Sequence, residues 1–256
     1  MAQIIAITNQ KGGVGKSTTA EALAEGLILK KKKTLLIDLD AQGNISSNRG
    51  TSPDKPTIYE VLTKQCTSAE AIQPCEGRSD VLAASINLAR LDVELVATGK
   101  EYRLKEQLAV IIPLYDFIII DTPPSLGVLT VNALTASNSV IMPTQADLFS
   151  LHGIMQLTNT LEAIRAYTNP GLALAGILLT RHNTRSILSR DMTDTAREIA
   201  RQMGTFLYDT VIREAVAIKE SQANQQSIYQ YAPKSNAAAD YTAFTAEFLK
   251  RSVMNA

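Results

Sequence analysis

The strongest constraint on the fold is a series of five short apolar segments, separated along the chain by stretches with helical patterns. Each segment is rich in β-branched or aliphatic residues, which is typical of strands buried on both faces of a parallel sheet. The five are QIIAIT (3–8), TLLIDL (34–39), DFIIID (116–121), SVIMPT (139–144) and LALAGILLT (172–180). VLAAS (81–85) and TFLYDTVI (205–212) are weaker candidates for strands.

Helical patterns lie between most of these segments. They cover residues 16–31, 57–64, 98–111, 128–137, 150–168 and 187–203, with a last one at 237–254. Within the second, Thr57 and Glu60 have the spacing of a capping box. The alternation predicts right-handed β-α-β crossovers and a mostly parallel, twisted α/β sheet with helices on both faces. No linker, repeat or low-complexity segment interrupts it, so we expect a single domain over residues 1–256.

Composition excludes several classes of protein. Hydrophobic residues make up 45% of the chain and charged residues 20%, as in ordinary globular proteins. Lysine plus arginine and aspartate plus glutamate number 25 each, so any DNA binding needs a local basic patch or one created by assembly. No apolar run approaches the ~18 residues of a membrane span. The opening MAQIIAIT lacks the pattern of a signal peptide, and we expect a cytoplasmic protein.

Cysteine and histidine are too sparse to build a transition-metal site. Cys66 and Cys75 form neither a CxxC unit nor a metal cluster, and we expect two unpaired thiols in a reducing cytosol. His152 and His182 each stand alone in the sequence.

A glycine-rich stretch, NQKGGVGKSTTA (9–20), follows the first strand and opens the first helix. Its end fits the phosphate-loop pattern G-x-x-x-x-G-K-[ST], but Gln10 takes the place of the first glycine. Backbone N–H groups of residues 13–16 can point into the loop, where the helix dipole also favours an anion. We expect Lys16 to reach the β- and γ-phosphates of a nucleotide and the Ser17 hydroxyl to bind Mg²⁺.

Acidic residues end two other predicted strands. Asp121 closes a buried apolar strand, where a carboxylate is costly unless a cation or hydrogen bonds compensate. A water-bound Mg²⁺ supplies that compensation in P-loop NTPases. Asp38 and Asp40 lie two residues apart, on one face if the second strand continues through them. One could support the water shell of the metal and the other could position the attacking water. Because the carboxyl ends of parallel strands meet at one edge, these groups should converge there.

Taken together, KGGVGKST, DLDAQGN, IIIDTPPSLG and VNALTAS strongly resemble the ParA/Soj family of partition ATPases, within the wider MinD/ParA group. The resemblance runs along nearly the whole chain, including VIMPTQADLFSLHGIMQL, GILLT and YAPKSNAAADY. It identifies the loop as a deviant Walker A motif, with Gln10 typical of the partition branch. Lys11 matches the signature lysine, which in this family crosses to the partner's phosphates when two monomers sandwich two ATP molecules.

The resemblance also assigns roles to individual residues. It implies catalytic roles for Lys11, Lys16 and Asp40, and a metal site at Ser17 and Asp121. We expect Asp38, from its place beside Asp40 at the strand end, to join that metal site. It places the nucleotide against Lys11, Gly12, Gly13, Val14, Gly15, Lys16, Ser17, Thr18, Asn183, Ile212 and Arg213. Family members often have Pro-Arg-Asn after VI, whereas this chain has Arg213, Glu214 and Ala215. We therefore expect backbone rather than side-chain contacts to adenine there.

DNA binding in the family is nonspecific and uses basic residues along one face of the dimer. Arg185 matches one such position. The usual second arginine falls on Ala217, with Lys219 nearby as a substitute. The run Lys30–Lys33 is instead expected to complement the dipole at the end of the first helix.

The function implied is that of an ATP-dependent DNA-partitioning switch with weak, Mg²⁺-dependent ATPase activity. An ATP-driven homodimer would bind double-stranded DNA on the nucleoid, and a ParB-like, centromere-binding adaptor would stimulate hydrolysis and release. A MinD-like membrane switch is the alternative, but it needs a C-terminal amphipathic helix with a basic face. The tail YTAFTAEFLKRSVMNA offers only Lys250 and Arg251 as cations, and we expect it to pack onto the domain. A nitrogenase-reductase-like enzyme would need cluster-ligating cysteines, which Cys66 and Cys75 cannot provide.

Overall fold

The computed structural model describes residues 2–184 and 187–254. Within these residues the chain forms a seven-stranded sheet. Its strands are β1 (Gln3–Ile7), β2 (Thr34–Asp38), β3 (Ile72–Gln73), β4 (Asp80–Leu82), β5 (Phe117–Asp121), β6 (Ser139–Thr144) and β7 (Ala173–Leu179). Their order across the sheet is β3-β4-β2-β5-β1-β6-β7. All neighbouring pairs are parallel except β3 and β4, which are antiparallel.

Helices connect the strands and cover the sheet. They are α1 (Lys16–Leu29), α2 (Asn44–Asn48), α3 (Ile58–Leu62), α4 (Ser68–Ala71), α5 (Leu91–Glu94), α6 (Arg103–Leu108), α7 (Val128–Ala136), α8 (Leu148–Tyr167), α9 (Ile187–Gln202), α10 (Val216–Ala223), α11 (Ile228–Tyr231) and α12 (Asn236–Met254). Short 3₁₀ turns occupy Ile86–Arg90, Lys100–Tyr102 and Ile112–Leu114. No helix in the described parts of the chain is long and apolar enough to cross a lipid bilayer.

The core lies in two layers, one on each face of the sheet. Alternate residues of a strand point to opposite faces, and β1 shows this directly. Ile4 and Ala6 pack with residues of α3 and α6 to α9 on one face. Ile5 and Ile7 pack with residues of α1 and α12 on the other. The predicted fold class, a mostly parallel sheet with helices on both faces, is therefore confirmed.

The five main strand predictions are confirmed to within one residue at each end, and 81–85 corresponds to β4. The weaker prediction at 205–212 is wrong, because this segment makes only isolated bridges, such as Leu207 with Ile177. Gly176 in β7 has φ +112, and the rings of Phe206 and Tyr208 pack against it. The segment thus meets β7 through separate backbone hydrogen bonds, such as that from the Tyr208 N–H to the Ile177 carbonyl at 2.9 Å, instead of a continuous ladder.

Two local predictions are also confirmed. Thr57 and Glu60 form the capping box at the start of α3, in which the Thr57 N–H donates to the Glu60 carboxylate at 2.8 Å. In α12, Tyr241, Phe244 and Phe248 are buried in the core, so this helix packs onto the rest of the fold as expected.

The register of the central strands brings the polar strand ends together. Asp121 at the end of β5 is aligned with Ile7 of β1 on one side and with Asp38 of β2 on the other. The loop that follows β1 and the two acidic strand ends therefore share one edge of the sheet.

Candidate functional site: a phosphate loop beside buried carboxylates

The phosphate loop connects β1 to α1, and two of its glycines adopt left-handed backbone conformations. Gly13 and Gly15 have φ of 76° and 84°, values that residues with a side chain rarely adopt. Gly15 is also the N-cap of α1 and supplies no side-chain cap, so the first N–H groups of the helix stay available for an anion. Thr180, just after β7, attaches the loop to the end of that strand, because its hydroxyl donates to the Val14 carbonyl at 2.7 Å.

Both lysines of the loop contact groups of their own chain. Lys16 is buried, and its ammonium donates to the Lys11 carbonyl at 3.2 Å. Burial lowers the pKa of Lys16, while the charges of Asp121 and Asp40 oppose that shift. The Lys11 ammonium donates to both carboxylate oxygens of Asp147 at 3.1 Å, in an ion pair whose side chains are about one-third exposed. Residue 11 is therefore held through its backbone and its side chain at once.

Asp121 is a fully buried carboxylate, and neither of its oxygens has a hydrogen-bond partner among the described residues. Burial, followed by repulsion from Asp38, raises its pKa well above the usual range. Ser17 and Lys16, in the loop, act to lower the pKa of Asp121 and so oppose this rise. Neither forms a hydrogen bond of ordinary geometry with the Asp121 carboxylate. An unpartnered carboxylate beside a serine hydroxyl is a donor set that suits a water-bound Mg²⁺.

Asp38 and Asp40 are engaged differently. Asp38 accepts hydrogen bonds from the Ser46 N–H at 2.9 Å, the Ser46 hydroxyl at 2.7 Å and the Asp40 N–H at 3.2 Å. Burial raises the pKa of Asp38 to about 6. Asp40 accepts from the Gln42 N–H at 3.0 Å and lines the cavity beside the loop. Asp38 thus braces the loop after β2, whereas Asp40 faces the space in which a ligand can lie.

Two adjoining cavities flank the phosphate loop. The larger, about 660 Å³, is lined by Gly12, Gly13, Gly15, Lys16, Ser17, Thr18, Glu21, Asp40, Gln42, Asn44, Ile45, Ser47, Asn48, Pro124, Gln222, Ala223 and Gln225. The smaller, about 170 Å³, is lined by Gly13, Gly15, Thr18, Thr180, Arg181, Ile212, Arg213, Glu214, Ala215, Ile218, Lys219, Gln222 and Tyr241. Loop residues line both, so an extended ligand can lie across the loop and reach into each.

Most of the residues predicted for the site are brought together here. The larger cavity is lined by Asp40 and by the loop residues Gly12, Gly13, Gly15, Lys16, Ser17 and Thr18, and the smaller one by Ile212, Arg213 and Lys219. Lys11, Val14, Asp38 and Asp121 line neither cavity. The guanidinium of Arg213 is bound to Asp240 at 2.6 and 2.9 Å, which favours a backbone contribution at this position. Asn183 is exposed and is not among the residues that line either cavity. Arg185, predicted to contact DNA, lies outside the described residues.

Some lining residues escaped the sequence analysis. Gln222 lies near the end of α10 and Gln225 just beyond it, and the Gln222 amide donates to the Thr18 hydroxyl at 3.2 Å. Asp147, the partner of Lys11, is also far from the loop in sequence, at a separation of 136 residues from Lys11. The polar run KESQANQQ (219–226) marks the α10 segment, but no spacing in it points to a nucleotide.

A buried ionic cluster attaches the Asp40 segment to the loop helix. Arg49, at the end of α2, is fully buried and pairs with Glu21 at 3.1 Å and Glu25 at 2.5 Å, both on α1. Arg78 pairs with Glu21 at 3.0 Å from the other side. Burial raises the pKa of Glu21, and the charge of Arg49 is the largest effect opposing that rise. The cluster fixes α2, and with it the loop that carries Asp40, relative to α1.

No group of three or more histidine, cysteine, aspartate or glutamate side chains in the described ranges could hold a metal ion by itself. A Mg²⁺ ion at Ser17 and Asp121 would therefore take most of its ligands from a nucleotide and from water, as Mg²⁺ commonly does.

Comparisons with known proteins identify the family of this chain. The protein-family model described as an AAA domain matches residues 2–174. The chromosome partitioning protein ParA of Myxococcus xanthus is 38% identical over 253 residues, covering 97% of this chain and 88% of that protein. The sporulation initiation inhibitor protein Soj of Bacillus subtilis is 39% identical over 245 residues, covering 94% of this chain and 96% of that protein.

A solved structure shares the fold along the whole chain. Cobyrinic acid a,c-diamide synthase from Mycobacterium smegmatis, crystallised with ADP and magnesium, matches with a TM-score of 0.86 and 32% identity, covering 100% of this chain and 97% of that one. ParA and Soj match over most or nearly all of their length, and the chain belongs to the ParA/Soj family of P-loop partition ATPases.

Proposed function

We propose that this protein is an ATP-dependent DNA-partitioning ATPase whose Mg²⁺-dependent hydrolysis is weak and times its release from DNA. One observation carries the proposal: a phosphate loop opens onto a cavity beside Asp121, a buried carboxylate that lacks any hydrogen-bond partner in the described chain. Such a carboxylate is costly unless a cation compensates it. The structural relative crystallised with ADP and magnesium supports the pairing of nucleotide and metal.

Different residues of the chain are proposed to bind the nucleotide and to support its hydrolysis. When ATP binds, the Lys16 ammonium would leave the Lys11 carbonyl and contact the β- and γ-phosphates. The backbone N–H groups from Gly12 to Thr18 would hold the phosphate oxygens. Ser17 and Asp121 would hold Mg²⁺, and Asp38 would support the water shell of the metal. The ion would neutralise phosphate charge. Asp40 positions the attacking water from the cavity wall. Asn183, Ile212 and Arg213 are proposed to flank the adenine, mainly through the backbone.

Dimerisation and DNA binding follow from the same loop. Lys11 would leave Asp147 and reach the phosphates of a second copy, closing an ATP sandwich. The formal net charge of a monomer is zero, so alignment of basic residues from two chains would create the DNA-binding groove. Arg185 and Lys219 are the proposed phosphate contacts. A ParB-like, centromere-binding adaptor would then stimulate hydrolysis on the nucleoid.

Removal of the phosphate lysine tests the nucleotide site. Lys16→Ala should abolish ATP binding, because it removes the charge that balances the β- and γ-phosphates. Lys30→Ala, at an exposed lysine just beyond the far end of α1, is the matched control and should bind ATP like the wild type. Isothermal titration calorimetry measures both. ATP affinity near the wild-type value in Lys16→Ala would contradict the phosphate-loop assignment.

DNA sedimentation tests the switch itself. Two duplexes of unrelated sequence should be retained equally in ATP and weakly in ADP, and retention should fall steeply with salt, because phosphate contacts carry no base information. Retention on anionic vesicles but not on DNA would favour the MinD-like alternative. Equal DNA retention in ATP and ADP would contradict the proposal.

A further inference from the structure

The segment that follows Asp121 connects the buried carboxylate to α7. At its start, the Thr122 hydroxyl donates to the Ile7 carbonyl at 3.0 Å, which ties the segment to β1. Residues 124–126 are exposed, and Pro124 lines the larger cavity beside the phosphate loop. The position of this segment therefore affects the wall of the cavity in which we place the phosphates.

Asp92 holds the far end of the segment. It lies on α5, and its carboxylate accepts a hydrogen bond from the Val128 N–H, the first of α7, at 2.6 Å. The N-cap residue of α7, Gly127, offers no side-chain cap of its own. A Cβ at position 127 would lie 2.5 Å from both oxygens of Asp92, so the carboxylate sits directly against the glycine. Asp92 thus caps α7 from another part of the chain.

We propose that Asp92 is a positioning residue for ATP hydrolysis, which fixes the 122–127 segment between Asp121 and α7. The inference rests on the proposed ATPase activity. Gly127 has φ −76 and ψ −170, an extended conformation open to any residue, so only the approach of Asp92 requires glycine there. Without Asp92 the segment keeps the Thr122 contact and the hydrogen bond that the Thr130 hydroxyl donates to the Ser125 carbonyl at 2.6 Å. It loses the carboxylate that caps α7 and lies against Gly127. Turnover should suffer more than ATP affinity, because the phosphate loop itself is untouched.

Substitution of Asp92 is the first test. Asp92→Ala should lower kcat for phosphate release about tenfold with little change in KM for ATP, since small misplacements of a reacting site cost large factors in rate. Asp92→Asn keeps an acceptor for the Val128 N–H and should retain most of the wild-type kcat. Glu94→Ala removes the next acid on α5, which bonds Tyr59 at 2.8 Å, and is the matched control with unchanged kcat. Circular dichroism and equilibrium binding of a fluorescent ATP analogue confirm that each variant is folded and binds.

Gly127 tests the same contact from its other side. Gly127→Ala should displace the Asp92 carboxylate and lower kcat to a similar degree. In the Asp92→Ala background the obstacle is gone, so Gly127→Ala should then cause little further loss. Additive losses, or a wild-type kcat in both single variants, would overturn the inference while leaving the ATPase assignment intact. A wild-type protein that binds no ATP would overturn the proposed function and the inference together.

Discussion

At Asp121, the metal-binding role that we propose and the stability of the fold oppose each other in a single side chain. Its folded-state pKa is raised by burial and by Asp38, so its contribution to stability is greatest below the ordinary aspartate pKa and is lost as pH rises through the raised value. Asp121→Asn removes this penalty. Without nucleotide at pH 7, the free energy of unfolding of the variant should exceed that of the wild type by about 1–3 kcal/mol, as expected when a buried unpaired charge is removed. Urea denaturation measures the difference.

The pH dependence gives this prediction its control. The gain should shrink as the pH falls from 7 towards 4, because the wild-type carboxyl then becomes protonated and neutral too. Asp54→Asn, at an exposed carboxylate, should change stability by less than about 0.5 kcal/mol at either pH. Equal or lower stability of Asp121→Asn at pH 7 would mean that the folded protein already compensates this charge.

The ion pair of Lys11 with Asp147 competes with the role proposed for Lys11 across the dimer. Asp147→Asn weakens that pair, and an exposed pair is worth up to about 1 kcal/mol, or roughly fivefold in an equilibrium constant. ATP-dependent dimers should therefore form at protein concentrations about two- to fivefold lower. Lys11→Ala should bind ATP yet remain monomeric. Analytical ultracentrifugation in ATP measures both.

A second exposed ion pair provides the comparison. Glu106→Gln breaks the pair with Lys64 at 3.0 Å, which is of similar type, and should leave dimerisation unchanged. If Asp147→Asn weakens the dimer instead, Asp147 contributes to the interface and does not restrain Lys11. If Lys11→Ala dimerises like the wild type, Lys11 does not act across the dimer in this protein.

At the scale of elements, the sequence predicts best what periodicity encodes. The five apolar runs correspond to β1, β2, β5, β6 and β7, and long helices such as α1 and α12 are found within two residues of their predicted bounds. Short elements were missed, among them α2, α4, α10 and the two-residue strand β3. A helix of four or five residues gains little from its own hydrogen bonds and depends on tertiary contacts. Those contacts, such as Arg49 with Glu25, join residues far apart in sequence.

The contact between α1 and α12 supplies a prediction about packing. A Cβ at Gly26 of α1 would clash with the Thr245 hydroxyl of α12 and lie 2.9 Å from the Tyr229 hydroxyl. Gly26→Ala should destabilise the protein by about 1–3 kcal/mol, because the helices must separate to admit the methyl group. Thermal denaturation should show a drop of about 2–4 °C per kcal/mol in a chain of this size.

Relief of the same clash provides the check. Thr245→Ala removes the hydroxyl that the new methyl group meets, so the double variant with Gly26→Ala should be less destabilised than the sum of the two single changes. Strict additivity would show that the strain at position 26 arises elsewhere.

For the whole molecule, the site separates into a part that sequence motifs reveal and a part that only folding creates. Lys16, Ser17, Asp40 and Asp121 lie in recognisable motifs at strand ends, and the parallel register brings them together. The contacts of Lys11 with Asp147, of Thr18 with Gln222 and of Val128 with Asp92 join segments whose proximity no local pattern encodes. These contacts attach distant segments to the loop and to α7, whereas the motifs supply the groups proposed for the chemistry.

Asp40→Ala should separate binding from turnover in the assembled molecule. Asp40 lines the cavity, and its hydrogen bonds are local: its N–H donates to Asp38, and it accepts from the N–H groups of Gln42 and Gly43. The variant retains the phosphate loop, Ser17 and Lys11, so ATP should still close the dimer and form the proposed basic groove. Hydrolysis should stop because the attacking water loses its positioning carboxylate. Removal of an acid from a phosphate-rich site also relieves repulsion, so ATP affinity should hold or rise.

The expected state is an ATP dimer that persists on DNA and ignores any stimulating partner. Size-exclusion chromatography and DNA retention in ATP, measured beside phosphate release, follow assembly and chemistry separately. Glu106→Gln, far from the cavity lining, serves as the control and should cycle normally. A monomer in ATP would show that Asp40 organises the dimer and not the water. Near-normal phosphate release would move the catalytic role to Asp38, whose carboxylate braces the same loop through Ser46.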